Sequence, residues 1–260
     1  MILAQLWRYP VKSMAGESLA VGTLRRGTLV GDRGWGVFDL ASGRLMSAKR
    51  WPTLLAGRAT YDDASGVTQV GLPDGSVGVA GEAALDARLS TWLGRAVALR
   101  QPSPNIASTI EVDELDLGGD PALPVRATTS FTTEVGQFFD SRSGLHATTM
   151  ATADLLARGH GASAADLRRY RANLVLDGSE ALAELAWVGL DLVIAGVPLH
   201  VRKRTERCVL VTRAQRGLPE DRPLLRYLAT EHAACVGVYL DAPAVGCLTV
   251  GDLVSLAVAS

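Results

Sequence analysis

The chain has 260 residues, enough for one or two domains and for a sizeable core without disulfides or structural metal. Lys and Arg number 26 against 27 Asp and Glu, a net charge of -1. That balance excludes bulk attraction to nucleic acid or an anionic membrane and leaves room only for a local basic pocket. Hydrophobic residues are 48% and aromatics 5%, so the core must be aliphatic.

The N-terminus, MILAQLWRYPVKS, reaches Arg8 and Lys12 too soon for a secretory apolar segment. No run of about 18 apolar residues occurs, so a cytoplasmic protein that does not span a membrane is expected. Cys208, Cys235 and Cys247 are odd in number and form no CxxC. They signal neither a disulfide framework nor a zinc ribbon nor an iron–sulfur cluster.

In chain order, residues 2–9 open as a strand, followed by strands at Leu19–Leu24, Gly36–Leu40 and Arg44–Ala48, the last two joined by a turn over 40–44. Residues 67–80 read as strand, Pro-Asp-Gly turn and strand. Glu82–Leu93 is helical, because Leu85, Leu89, Trp92 and Leu93 share one face and Gly94 suits the C-cap. Ala96–Arg100 returns to strand. Residues 102–124 carry four prolines around the acidic run Glu111–Asp116 and read as a linker or solvated loop. Helices are predicted at Ala151–Arg158, Ala164–Tyr170 and Pro223–His232. Strands are predicted at Ala172–Leu176, Ala186–Ile194, Leu199–Arg202, Cys208–Thr212, Val236–Leu240 and Leu253–Val258. Many short strands with inserted helices indicate a β-barrel core and not a doubly wound sheet.

Several familiar sites are missing: there is no G-x-S-x-G, no G-x4-G-K-[ST] and no H-E-x-x-H. Gly31–Gly36 is glycine-rich but is not a dinucleotide loop. His146, His160, His200 and His232 show no metal-ligand spacing, and His232 with Cys235 supplies only two ligands. One thiol stands out. Arg202, Lys203, Arg204 and Arg207 lie within six residues of Cys208. Nearby positive charge stabilises a thiolate, the form that a soft metal or a sulfur-transfer reaction needs. A buried, inert cysteine is the plain alternative, and it is the expectation for Cys235 and Cys247, which stand in apolar sequence. Arg168-Arg169-Tyr170-Arg171, Lys12-Ser13 and Lys49-Arg50 add donors suited to a phosphate.

Tyr9-Pro10-Val11-Lys12-Ser13, Gly31-Asp32-Arg33-Gly34-Trp35, Arg171-Ala172-Asn173, Glu184 with Trp187, Arg207-Cys208 and Val250-Gly251-Asp252-Leu253-Val254 follow one another along the chain. In this order they resemble the MOSC family, in the branch of the amidoxime-reducing component and its bacterial counterparts. The resemblance implies a mixed, β-rich α+β fold: a MOSC N-terminal β-rich domain over residues 1–100 packed on a MOSC β-barrel with inserted helices over 101–260. It also implies the molybdenum cofactor, molybdopterin, with no haem, flavin or iron–sulfur cluster in this chain and no dependence on pyridoxal phosphate.

By motif, Cys208 is the implied molybdenum ligand and catalytic residue. Lys12, Ser13, Arg33, Arg171, Asn173 and Arg207 are the implied cofactor contacts, with Lys49, Thr148 and Thr149 as weaker matches. Three departures stand in the sequence. Thr205 replaces a frequent second cysteine, Thr212–Gly217 replaces a frequent Asp-Pro, and Glu184-Leu185-Ala186-Trp187 replaces E-D-x-W. No ferredoxin module and no membrane anchor are read in the chain, so electrons are expected from a separate ferredoxin-like or cytochrome-like donor with its reductase. The implied activity is reduction of small N-hydroxylated compounds by a monomer. A sulfur carrier with a persulfide on Cys208 and a non-catalytic cofactor-binding module are the alternatives.

Overall fold

The computed structural model describes residues 1–25, 27–102, 108–113, 125–130, 137–138 and 144–259. Its largest unit is an eight-stranded sheet. Across it run Val254–Val258, Leu190–Ile194, Val197–Glu206, Cys235–Asp241, Leu145–Thr149, Leu174–Asp177, Ile2–Arg8 and Glu17–Leu19. The strand Ile2–Arg8, one short of the end of this order, also meets the segment that leads into Val254–Val258. Leu3 N donates to Asp252 O, Val254 N donates to Met1 O, and Ile2 bridges Leu253. The sheet therefore closes into a barrel, which removes its open edges. Its interior holds Leu3, Leu6, Leu145, Leu174, Leu199 and Val238, fully or almost fully buried. The first strand thus completes the barrel of the C-terminal half, pairing Leu3 with Leu176 and Leu6 with Leu174.

All pairings in this sheet are antiparallel except Leu145–Thr149 with Leu174–Asp177. A parallel pair needs a crossover. Residues 150–173 provide it and so deliver Arg171 and Asn173 to the barrel end. The crossover opens with the helix Met150–His160, capped by the Thr149 side chain, which accepts from Thr152 N. The predicted helix at 164–170 breaks at Asp166 into Ala162–Ala165 and a 3-10 turn, Leu167–Tyr170. The Asp166 side chain accepts from Arg168 N and restarts the chain there.

A second core lies between Tyr9 and Arg100. Val11, Met14, Val37, Leu54, Leu85 and Leu89 pack together in it. The helix Ala83–Leu93 supplies the last two, and Gly94 ends it in the left-handed conformation at φ 65°, its N–H bonding Ser90 O and Thr91 O. The strands Thr68–Gly71 and Val77–Val79 form the hairpin read from residues 67–80.

Four sequence readings need correction. The strand at 19–24 is two strands, Glu17–Leu19 and Val21–Arg25. They turn at Ala20, one pairing with Ile2–Arg8 and the other with Gly246–Thr249. Arg44–Ala48 makes a single bridge, Phe38 with Leu45, and then a turn in which Ser47 O accepts from Arg50 N and Trp51 N. Ser108–Asp113, inside the presumed loop, is a strand paired with Val125–Ser130; Glu114–Asp116 and Pro104, Pro121 and Pro124 lie outside the described residues. Finally, Val209–Thr212 is a 3-10 turn and not a strand. Thr212 Oγ1 donates to Val209 O at 2.8 Å. Val209 and Val211 pack against Leu224, Leu225 and Leu228 of the helix Arg222–His232. That packing overrides the β-propensity of the Val-Leu-Val run.

A cationic pocket around Cys208

The strand Val197–Glu206 ends just before Cys208, which occupies the N-cap position of the 3-10 turn that follows. The thiol is half-buried in a narrow cleft of about 100 Å³. Lys12, Ser13, Arg33, Lys49, Arg171 and Arg207 line the same cleft. Seven of the ten residues named from sequence are thus brought together, although they span nearly two hundred positions. Five of them are cations, and Glu206 is the sole carboxylate among the described lining residues. Such a wall favours an anionic ligand.

Local backbone explains how these side chains converge. The segment after the first strand is tied by Lys12 N to Trp35 O and by Arg33 N to Tyr9 O. Asp32 accepts from Tyr9 N at 2.7 Å and pairs with the Arg33 guanidinium, fixing the Gly-Asp-Arg-Gly turn to the Tyr-Pro segment. Ser13, Arg33 and Arg171 all hold left-handed backbones, with φ of 69°, 50° and 53°. Such conformations are costly for residues with a Cβ and persist where surrounding contacts over-determine them. Three of them meet at this one cleft.

Tyr9 is the platform beneath. The Arg171 guanidinium lies 4.3 Å from its ring centre and that of Arg33 lies 5.0 Å away. Its hydroxyl donates to Ala172 O at 3.2 Å. Burial pushes the Tyr9 phenol up to about 12 against the opposing pull of Arg171 and Arg33, so the hydroxyl stays protonated. Arg171 Nη1 donates to Met14 O at 2.6 Å, and Arg33 Nη2 donates to Arg171 O at 3.1 Å. Arg207 Nη2 donates to Tyr170 O at 2.8 Å, while its buried Nε has no hydrogen-bond partner among the described residues.

The other three named residues lie behind the wall. Asn173 is fully buried; its side chain accepts from Arg33 Nη1 and from His146 N and donates to Trp7 O. It positions Arg33 and does not line the cleft. Thr148 and Thr149 are fully buried and donate to Glu184, as does Thr152. Burial raises the Glu184 carboxyl, and these hydroxyls oppose the rise. Their hydroxyls serve a helix cap and a buried carboxyl, and neither residue lines the cleft.

The basic run before Cys208 also divides. Strand geometry carries Arg202, Lys203 and Arg204 outward, where Arg202 pairs with Asp241 and Arg204 donates to Leu185 O. Only Arg207 turns in. Arg169, grouped with Arg171 by sequence, is fully buried and donates to Ser163 O, Ser163 Oγ, Val211 O, Arg213 O and Pro219 O. It staples the turns behind the site together. Cys235 is buried but lies near Glu206, Arg204 and Arg207, and Cys247 is exposed, against the expectation of two buried thiols in apolar, uncharged surroundings.

The cleft includes groups that the sequence reading passed over, His146, Tyr170 and Tyr239 among them. His146 sits in the strand Leu145–Thr149, two residues before Thr148, and the sequence weighs it only as a metal ligand. Among the described residues, no group of three or more His, Cys, Asp and Glu could hold a metal ion. No helix of the described residues is long and apolar enough to cross a membrane.

Residues 1–102 match the MOSC N-terminal beta barrel domain, and residues 136–255 match the MOSC domain. The chain belongs to the MOSC family. A MOSC domain is associated with molybdenum-cofactor proteins. The crystal structure of the YuaD protein from Bacillus subtilis is similar over 100% of this chain and 96% of that one, with 11% identity and a TM-score of 0.49. A search among curated proteins finds no match. In the MOSC portion Arg171, Arg207 and Cys208 face the cleft, and the N-terminal portion completes it with Lys12, Ser13, Arg33 and Lys49.

Proposed function

We propose that the cleft binds the molybdenum cofactor and that the protein reduces small N-hydroxylated compounds with electrons from a separate redox protein. One observation carries this reading: a half-buried thiol, Cys208, shares a cleft with five cationic side chains and, among the described lining residues, one carboxylate.

The donor set suits such a group. A thiolate is a soft ligand for molybdenum, and guanidinium and ammonium groups suit a pterin phosphate. The unpartnered Nε of Arg207 is a buried donor in want of an acceptor, which the chain's described residues do not supply. The cleft is narrow, about 100 Å³, so a pterin would need lining side chains to move. When bound, the cofactor supplies two-electron redox chemistry at a metal centre. The chain's own part is to bind and orient. Cys208 would hold the metal. Lys12, Arg171 and Arg207 would neutralise the anionic ligand, and Arg33 with Asn173 would keep Arg171 in register. Tyr9, held protonated, would stay a neutral cushion under two guanidiniums. Reducing an N–OH group to N–H takes two electrons and two protons and releases water. The electrons come from a donor such as a ferredoxin-like or cytochrome-like protein with its reductase.

The test is turnover of an amidoxime with reduced viologen as donor, for protein made in a host that synthesises the cofactor. Reduction to the amidine that is lost in Cys208→Ser supports the reading. A wild-type protein that carries labile sulfur on Cys208, no molybdenum and no turnover would instead support sulfur carriage.

A further inference from the structure

A second cavity, of about 720 Å³, lies between the N-terminal portion and the loop that follows the Cys208 turn. It shares no lining residue with the Cys208 cleft. The two are separated where Arg213 Nη2 donates to Lys49 O at 2.9 Å. Lys49 and Leu210 face one side of that tie; Pro52 and Ala214 face the other.

Its walls are apolar on one side. Pro52 and Ala56 come from the 3-10 turn Pro52–Ala56, and Leu72, Pro73 and Val77 from the neighbouring hairpin. Its polar lining residues are Thr53, Arg58, Gln215 and Arg216, and the charged ones are both cations. Arg58 and Arg216 line it, and among the described residues neither guanidinium makes an ion pair or hydrogen bond. Gln215 lines it as well, and its Nε2 is buried with no hydrogen-bond partner among the described residues. No Asp or Glu is among the described lining residues.

The walls are also held in place without a ligand. Gln215 and Leu218 exchange backbone hydrogen bonds of 2.9 and 2.8 Å, and Arg168 Nη1 donates to Arg216 O at 3.3 Å. A largely preformed, mostly apolar concavity of several hundred Å³ is the usual form of a small-molecule site.

We propose that this cavity is a binding site for a small organic anion with an apolar body, of the monocarboxylate or arylsulfonate class. The apolar body rests on Pro52, Ala56, Leu72 and Val77, and the anionic head takes Arg58 and Arg216. The proposal stands on this cavity alone and not on the cofactor reading.

The probe is 1-anilinonaphthalene-8-sulfonate, titrated by fluorescence into the folded full-length protein, with octanoate and octanol as competitors. The expected result is one saturable site from which octanoate, but not octanol, displaces the probe. The double variant R58Q/R216Q should weaken binding at least tenfold. Ala56→Phe, which fills the cavity from an exposed wall position, should abolish it, and Val77→Phe serves the same purpose should the first variant not fold. Cys208→Ser should bind as the wild type does, which separates this site from the cofactor cleft. The proposal is overturned by a wild type with no saturable binding, or by binding unchanged in the filled and charge-removed variants. Equal competition by octanol, or binding lost in Cys208→Ser, overturns it as well.

Discussion

Arg207 Nη1 stands 3.4 Å from His146 Nε2, deep in the wall of the cleft. The same Nε2 lies 3.4 Å from Val236 O, to which Arg207 Nη1 donates at 3.5 Å, so imidazole and guanidinium crowd one carbonyl. Burial pushes the His146 imidazole well below its ordinary value, and the charges of Arg207 and Arg33 push the same way. His146 is thus held neutral against the arginine beside Cys208.

A pH dependence of stability follows. The unfolded imidazole titrates near 6.5, and the folded one well below it. Below 6.5 the unfolded chain gains a proton that the folded chain does not, so stability falls as the pH drops through and beneath that value. Glu184 acts in the opposite sense. Its folded carboxyl is raised above 4.5, so its contribution rises as the pH falls through the raised value. Urea midpoints between pH 7.5 and 5 should therefore fall more steeply in Glu184→Gln than in the wild type. They should flatten in His146→Gln. A His146→Gln profile parallel to the wild type would show the imidazole to be indifferent.

Two arginines two positions apart should separate ligand binding from packing. Arg169→Ala strips five acceptors of their donor and should cost about 3–5 kcal/mol of stability. Lys12→Ala removes a cation of the cleft whose amine lies 3.4 Å from Phe138 O. It should cost less stability than Arg169→Ala while reducing pterin occupancy, roughly 1.5–3 kcal/mol per charge-assisted bond. Calorimetry together with pterin fluorescence reads both. The opposite pattern, a stable Arg169→Ala and a collapsed Lys12→Ala, would invert the assignment.

Gly237 supports the same wall. Its φ is 80°, and a Cβ there would lie 2.4 Å from His146 Nε2 and 2.5 Å from Ala147 O. Gly237→Ala should lose about 2 kcal/mol or more in denaturant titration, through both the left-handed backbone and the collision with a backbone oxygen. A neutral substitution would mean that the strand shifts freely, which would leave His146 poorly fixed.

The three thiols make a further test. Cys208→Ser should fold normally and lose amidoxime reduction. Cys235→Ser, at a buried position, should lose about 1 kcal/mol and keep activity, and Cys247→Ser, at an exposed one, should change neither. Activity that survives in Cys208→Ser would make that residue structural.

Local signals in the sequence placed much of this. Leu85, Leu89 and Gly94 marked their helix because the pattern and its cap lie within one segment. The ordered motifs brought Lys12, Arg33, Arg171 and Cys208 together because each is bound to a distinctive turn. What stayed hidden depends on distant partners. Val209-Leu210-Val211 coils because a helix begun thirteen residues later packs on it. Arg169 looks like Arg171 in sequence, yet one is buried under carbonyls and the other lies over Tyr9. Thr148 and Thr149 answer to Glu184, thirty-five and more residues away. The closure of the barrel by Ile2 and Leu253 joins opposite ends of the chain, beyond the reach of any window of residues.

The central claim is that the Cys208 cleft holds a molybdenum cofactor. Its most direct test is the metal and pterin content of the protein purified from a cofactor-producing host. Near one molybdenum and one releasable pterin per chain are expected, with the metal signature altered in Cys208→Ser and pterin retained by the cationic wall. A wild-type protein that is fully folded yet carries neither molybdenum nor pterin would contradict the account.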